Sequence, residues 1–106
     1  MNYHNVYGLN TGNLETIRIA IEHALNIRFN AHESMYLGGE YYRAGELGEE
    51  EFVLRYNFNS FEQEWTEKEF HDMNILLYVN VTQRSKEIED KVTNVVGMLL
   101  LRQEIL

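Results

Sequence analysis

The chain of 106 residues contains no cysteine and no proline. Without thiols it forms no disulfide, no thiolate metal site and no cysteine nucleophile, which fits a reducing compartment. Without proline, every change of direction falls to glycine, asparagine and serine. Basic residues are scarce too: seventeen acids face nine lysines and arginines, for a net charge of −8. That balance works against direct binding of nucleic acid, which requires a cationic footprint, and against anionic membrane surfaces. Long apolar runs are also missing. The longest run free of aromatic residues, glycine and polar residues, Met98–Leu101, falls far short of the roughly 20 residues a membrane-spanning helix needs. No N-terminal charged-then-apolar segment reads as a signal peptide, so the expected location is the cytoplasm. Hydrophobic content of 44% and charged content of 25% are those of a globular chain, expected to form one domain over residues 1–106 as a monomer or a homodimer.

The charge that is present is unevenly placed. Between Glu33 and Asp72 lie eleven of the acids and only three bases, Arg43, Arg55 and Lys68. That excess equals the whole net charge, and the flanks cancel. The same stretch holds nine of the thirteen aromatic residues, among them Tyr36, Tyr41, Tyr42, Phe61 and Trp65. An anionic segment rich in aromatics is suited to a basic partner, because acids steer the encounter and aromatics anchor it.

The flanks read as scaffold. Leu14, Ile17, Ile21, Ala24 and Leu25 recur at helical spacing behind Asn13, a good N-cap, and Asn26 can close the helix in the left-handed conformation. The spacing predicts a helix over 14–26. Residues 1–12 read as an arm, either irregular or a short edge strand. Alternation predicts strands over 51–59 and 74–82. The first would bury Phe52, Leu54, Tyr56 and Phe58, and the second is expected to be central. Between them, residues 60–72 form a charged connection. Ile88, Val92, Val95, Val96 and Leu99 predict a second helix behind Thr82 or Ser85, with residues 98–106 continuing it. Two readings compete for Gly38-Gly39, a hairpin turn or a bulge within a long strand. The stronger turn at residues 44–48 favours the bulge. The order helix, strands, helix predicts an α+β fold: an antiparallel meander of three to five strands with an N-terminal and a C-terminal helix on one face. The other face would be open and carry Val53, Arg55, Asn57, Tyr78 and Asn80, with Tyr36 or Tyr42 beside them.

Motifs of catalysis are lacking. The four histidines have neither H-x-H nor H-x-x-x-H spacing, and Gly38-Gly39 lacks the Lys-Ser/Thr sequel of a phosphate loop. Acid–base catalysis needs two carboxylates in contrasting environments, and no glutamate here stands apart from the others. Neither a catalytic group, a metal nor a cofactor is expected. The expected partner contacts are Glu40, Tyr42 and Arg43 around the glycine pair, Glu46, Glu49 and Glu50 in the acidic turn, and Glu62, Glu64, Trp65, Glu67 and Asp72 in the charged connection. A self-associating scaffold using the open sheet face is the alternative. A small enzyme or ligand-binding domain built on the aromatics is a third.

The segment Ser34-Met35-Tyr36-Leu37-Gly38-Gly39-Glu40-Tyr41-Tyr42-Arg43, followed by the two strands and Trp65, resembles small bacterial immunity proteins. These are the antidotes of polymorphic toxin systems, including contact-dependent growth inhibition. The resemblance spans roughly residues 33–82 and rests on the Tyr-x-Gly-Gly-x-Tyr-Tyr pattern together with size and acidity. It implies a cytoplasmic protein without catalytic residues. Such a protein binds a cognate toxin domain, commonly a basic nuclease, and occludes its active site or substrate groove.

Overall fold

A computed structural model describes residues 1–46 and 48–106. Among them are eight strands and two α-helices. In chain order these are β1 (Tyr3–Leu9), α1 (Leu14–Leu25), β2 (Asn30–Ser34), β3 (Gly39–Gly45), β4 (Glu51–Tyr56), β5 (Phe58–Asn59), β6 (Glu64–Trp65), β7 (Ile75–Thr82), α2 (Ser85–Lys91) and β8 (Leu99–Ile105). Six strands form one antiparallel sheet in the order β2-β3-β4-β7-β1-β8, while β5 and β6 pair separately. The fold is α+β, and the main sheet has six strands where three to five were expected.

Helix α1 forms where the apolar spacing predicts it. The Asn13 side chain accepts from the Thr16 N–H at 3.2 Å, and Asn26 closes the helix at φ 54° with its N–H on the Glu22 carbonyl. Leu14, Ile21 and Leu25 of α1, with Ile88 and Val92 of the second helix, share one core with Tyr7, Phe52, Leu54, Ile75, Leu77 and Val79. Both helices therefore cover the same face of the sheet. Each such aliphatic or aromatic side chain, fully buried, contributes roughly 1.5–3 kcal/mol.

The two chain ends depart from expectation. Residues 1–12 do not form an arm: β1 lies inside the sheet, hydrogen-bonded to β7 on one side and β8 on the other. Its polar letters conceal this. Asn5 is buried and donates to Ser85 Oγ at 2.8 Å. Gly8 leaves room that a Cβ would deny, since one built there would stand 2.6 Å from Leu101 Cδ1 and 2.9 Å from Met73 Cγ. At the other end, the second helix continues through one π turn, Val92–Val96, and stops at Gly97 with φ 89°. Met98 drops into the core and residues 99–105 become edge strand β8 instead of more helix. Leu, Arg, Gln and Glu are good helix formers, but that preference is worth only tenths of a kcal/mol per residue and yields to pairing with β1.

The second face of the sheet is not open. Residues 57–73 fold across it and cover a smaller core of Val6, Met73 and Leu76, with Phe70, Tyr78 and Leu101 packed alongside. The predicted strand 51–59 consequently breaks at Asn57. Phe52 and Leu54 enter the main core, while Tyr56 and Phe58 are partly exposed, and Phe58 belongs to the β5–β6 hairpin.

Candidate functional site

Two buried asparagines shape the covering segment. The Asn57 Nδ2 donates to the carbonyls of Phe70 (2.9 Å) and Met73 (3.0 Å), and its Oδ1 accepts from the Glu67 N–H at 2.9 Å. Asn59 does the same for a different pair of segments. Its Nδ2 donates to the Tyr36 carbonyl at 3.2 Å and to the Met35 carbonyl at 3.4 Å, and its Oδ1 accepts from the N–H groups of Phe61 (3.0 Å) and Glu62 (3.1 Å). One side chain thus binds the β2–β3 connection to the tip of the β5–β6 hairpin. Asn57 was expected on the open sheet face, and both asparagines are buried hubs.

The β2–β3 connection settles the reading of Gly38-Gly39. Ser34 pairs with Gly39 across the two strands, and Met35–Leu37 make a 3-10 turn closed by Gly38 at φ 83°. The pair therefore ends a hairpin turn rather than forming the bulge that was favoured. Gly39 follows at φ 108°, where glycine is favoured, and a Cβ there would lie 3.3 Å from the edge of the Phe61 ring.

The joined tips expose a cluster of large apolar side chains. Tyr36 is 84% exposed, Met35 68%, Phe61 58% and Trp65 36%. Trp65 stands edge-on to Phe58, ring centroids 5.0 Å apart, and tilted to His71 at 6.4 Å. Glu40, Glu62, Glu64 and Asp72 are exposed on the same segments. Tyr36, Asn59, Glu62, Glu64, Trp65 and Lys68 line a cleft of about 220 Å³ between the tips.

Several expected contacts are occupied inside the molecule. Tyr42 is buried in the main core and its hydroxyl donates to Glu15 of α1 and, at 3.3 Å, to Glu40. The Arg18 guanidinium lies over its ring at 5.3 Å. The bond to Glu15, reinforced by burial, pushes the phenol up to about 12. Arg43 pairs with Glu51 on the neighbouring strand. Glu50 accepts from Thr82 Oγ1 at 2.7 Å and is clasped by Arg84, with Nη2 at 2.8 Å and Nε at 2.9 Å. Those Arg84 bonds, despite partial burial, hold the Glu50 carboxyl below its ordinary value. Burial pushes Glu67 up, but Arg102 at 2.9 Å and the Tyr78 hydroxyl at 2.6 Å outweigh it and leave the group lowered.

Glu46 and Glu49 are exposed in the β3–β4 turn, and Leu47 of that turn lies outside the described residues. This turn sits at the opposite end of β3 from Gly39. At about 3.3 Å per residue, the seven-residue strand separates the two by roughly 20 Å. The acidic turn and the two hairpin tips therefore do not form one surface. Among the expected contacts, Glu40, Glu62, Glu64, Trp65 and Asp72 lie on the segments that meet. Met35, Phe61 and Asn59 belong there too and escaped sequence reading. The one available signal was the isolated Met-Tyr-Leu before two glycines, a run too apolar for an ordinary hairpin loop.

No family model matches the chain, and no curated protein matches it either. Among the described residues, no group of three or more His, Asp or Glu side chains is placed to hold a metal ion, and no helix is long and apolar enough to cross a membrane.

Proposed function

We propose that the protein is a cytoplasmic immunity protein that binds and neutralises a cognate basic toxin domain of nuclease type. The observation that supports this best is the corner built by Asn59, where four large apolar side chains stand exposed on segments that carry the acidic excess. Exposed aromatics rimmed by charge are the composition of an interface anchor. A chain of net charge −8 attracts a cationic nuclease domain at long range, and carboxylates at the contact stand where nucleic-acid phosphates would. Inhibition follows from occluding the substrate groove, and no catalytic residue is needed. The test is co-expression of the tagged protein with the toxin-like C-terminal domain encoded by the adjacent gene. Co-purification and protection of the cells are expected, and absence of both for that pair removes the reading.

A second reading is self-association, now at a different place. The sheet face expected to mediate it is covered by residues 57–73. Edge strand β8 instead ends the sheet with Leu99 and Ile105 exposed, beside Leu106. Such edges invite pairing with another chain. Sedimentation of the wild type and of Ile105→Lys separates the readings: a dimer lost in the variant supports edge pairing, and a wild-type monomer dismisses it.

A further inference from the structure

We propose that the cleft between the two hairpin tips is a receptor for a single arginine side chain of the partner. The inference rests on the partner being a basic protein and specifies how it is gripped. The cleft has two exposed aromatic residues from different hairpins, Tyr36 and Trp65, and two carboxylates, Glu62 and Glu64. Indole is the best ring for a cation, and a guanidinium can lie flat on it while its fork reaches a carboxylate. Asn59 Oδ1 is already committed to the N–H groups of Phe61 and Glu62. The carboxylates are therefore the charged acceptors open to an incoming donor. Glu62 has no ion-pair partner among the described residues.

Two basic residues of the chain itself bear on this. Lys68 places its ammonium 3.6 Å from Glu64, with its side chain 75% exposed. It shows that the wall accepts a cation, and so exposed a pair is held weakly enough to be displaced. Arg55 is buried beneath, donating to Thr66 Oγ1 at 2.7 Å. From Glu62 to Asp72 the chain carries five acids and one base. With Arg55 and Arg102 counted against them, the region remains net negative. A guanidinium is favoured over an ammonium because two rings and two carboxylates suit a planar, multidentate cation better than a compact one.

Trp65 is the only tryptophan, so intrinsic fluorescence reads the cleft directly. The intact protein is titrated with the capped tripeptide acetyl-Gly-Arg-Gly-amide at fixed ionic strength, and with its lysine and citrulline counterparts. A saturable change is expected with arginine, weaker with lysine and absent with the isosteric but uncharged citrulline. Glu62→Gln with Glu64→Gln is expected to weaken arginine binding about tenfold, the loss of two partly exposed ion pairs, while Lys68→Met strengthens it. Both variants sit on the surface, and an unchanged thermal midpoint confirms their folding. A response to citrulline equal to that of arginine, an indifferent double glutamine variant, or no saturable change overturns the proposal. If the toxin domain still binds the double variant with full affinity, the cleft is refuted and the immunity reading stands. If the arginine peptide binds but no toxin domain is captured, the cleft stands and that reading falls.

Discussion

Replacing Glu67 by alanine tests how the covering segment is held to the sheet. Its side chain is 15% exposed and ties the covering segment to two strands. The backbone N–H bonds Asn57, while the carboxylate takes the Tyr78 hydroxyl of β7 at 2.6 Å and Arg102 of β8 at 2.9 Å. A hydrogen bond to a charged acceptor contributes about 1.5–3 kcal/mol. The Arg102 pair is discounted to at most about 1 kcal/mol because that guanidinium is partly exposed and keeps Glu69 and Glu104 as partners. Glu67→Ala is therefore expected to cost about 2–3 kcal/mol, which for a chain of this size lowers Tm by roughly 10–15 °C. Glu67→Gln keeps an acceptor for Tyr78 and is expected to cost about 1 kcal/mol. Urea unfolding followed at Trp65, on the same segment, measures both. A cycle with Tyr78→Phe should return a coupling near 1 kcal/mol, and Glu69→Gln, an exposed neighbour, should stay within about 0.5 kcal/mol of wild type. A Glu67→Ala loss no larger than that of Glu69→Gln, or no coupling to Tyr78, refutes the bridge.

Two glycines with nearly equal φ should respond differently to alanine. A Cβ on Gly45 (φ 85°) would stand 2.1 Å from the Glu50 carbonyl oxygen, whereas one on Gly97 (φ 89°) meets nothing within 4 Å. Gly97→Ala is expected to cost about 1–2 kcal/mol from the left-handed backbone alone, and Gly45→Ala more than about 3 kcal/mol, both read by thermal unfolding. Val81 adopts φ 55° where β7 gains one residue against β1. Because a β-branched residue is strained there, Val81→Asn is expected to raise Tm by a few degrees, and a fall would locate the side chain's value in packing instead. The pH dependence has two limbs. Arg84 and Thr82 hold Glu50 below the usual 4.5, so its contribution is present above pH 4.5 and lost as the pH falls further. The glutamate bond lifts the Tyr42 phenol and burial lifts that of Tyr7 from 10.0 to about 12, so their contribution is present below pH 10 and lost toward 12. Thermal midpoints across pH should form a plateau between those limits, and Glu50→Gln should lessen the acid limb, which Glu67 still shares, and leave the alkaline limb unchanged.

Local patterns carried a good part of this protein. The α1 stripe, its Asn13 and Asn26 caps, strand β7 and the first half of β4 follow from period and capping chemistry, because each is set by residues close in sequence. So does the formal charge of the middle of the chain, which no fold can alter. The failures share a cause. Strand β1 looked polar because Asn5 and Gly8 serve partners some eighty to a hundred residues away, Ser85 and Leu101. Strand β8 looked helical because its residues prefer a helix until β1 offers an edge.

The candidate surface divides in the same way. Its aromatic and acidic residue types, and the need for glycine at 38 and 39, were fixed by composition and local geometry. Which glutamates remain free was not. Glu50 and Glu67 share their residue type with Glu49 and Glu62, and only the arrival of Arg84 and Arg102 from distant elements neutralises the first two. Likewise Tyr41 and Tyr42 are indistinguishable as letters until the sheet turns one toward α1 and its neighbour toward His32. Hydrophobic period and turn chemistry act over a few residues and can be read along the chain. Desolvation and charge pairing depend on what is brought close in space, and for this protein the tertiary structure alone decided them.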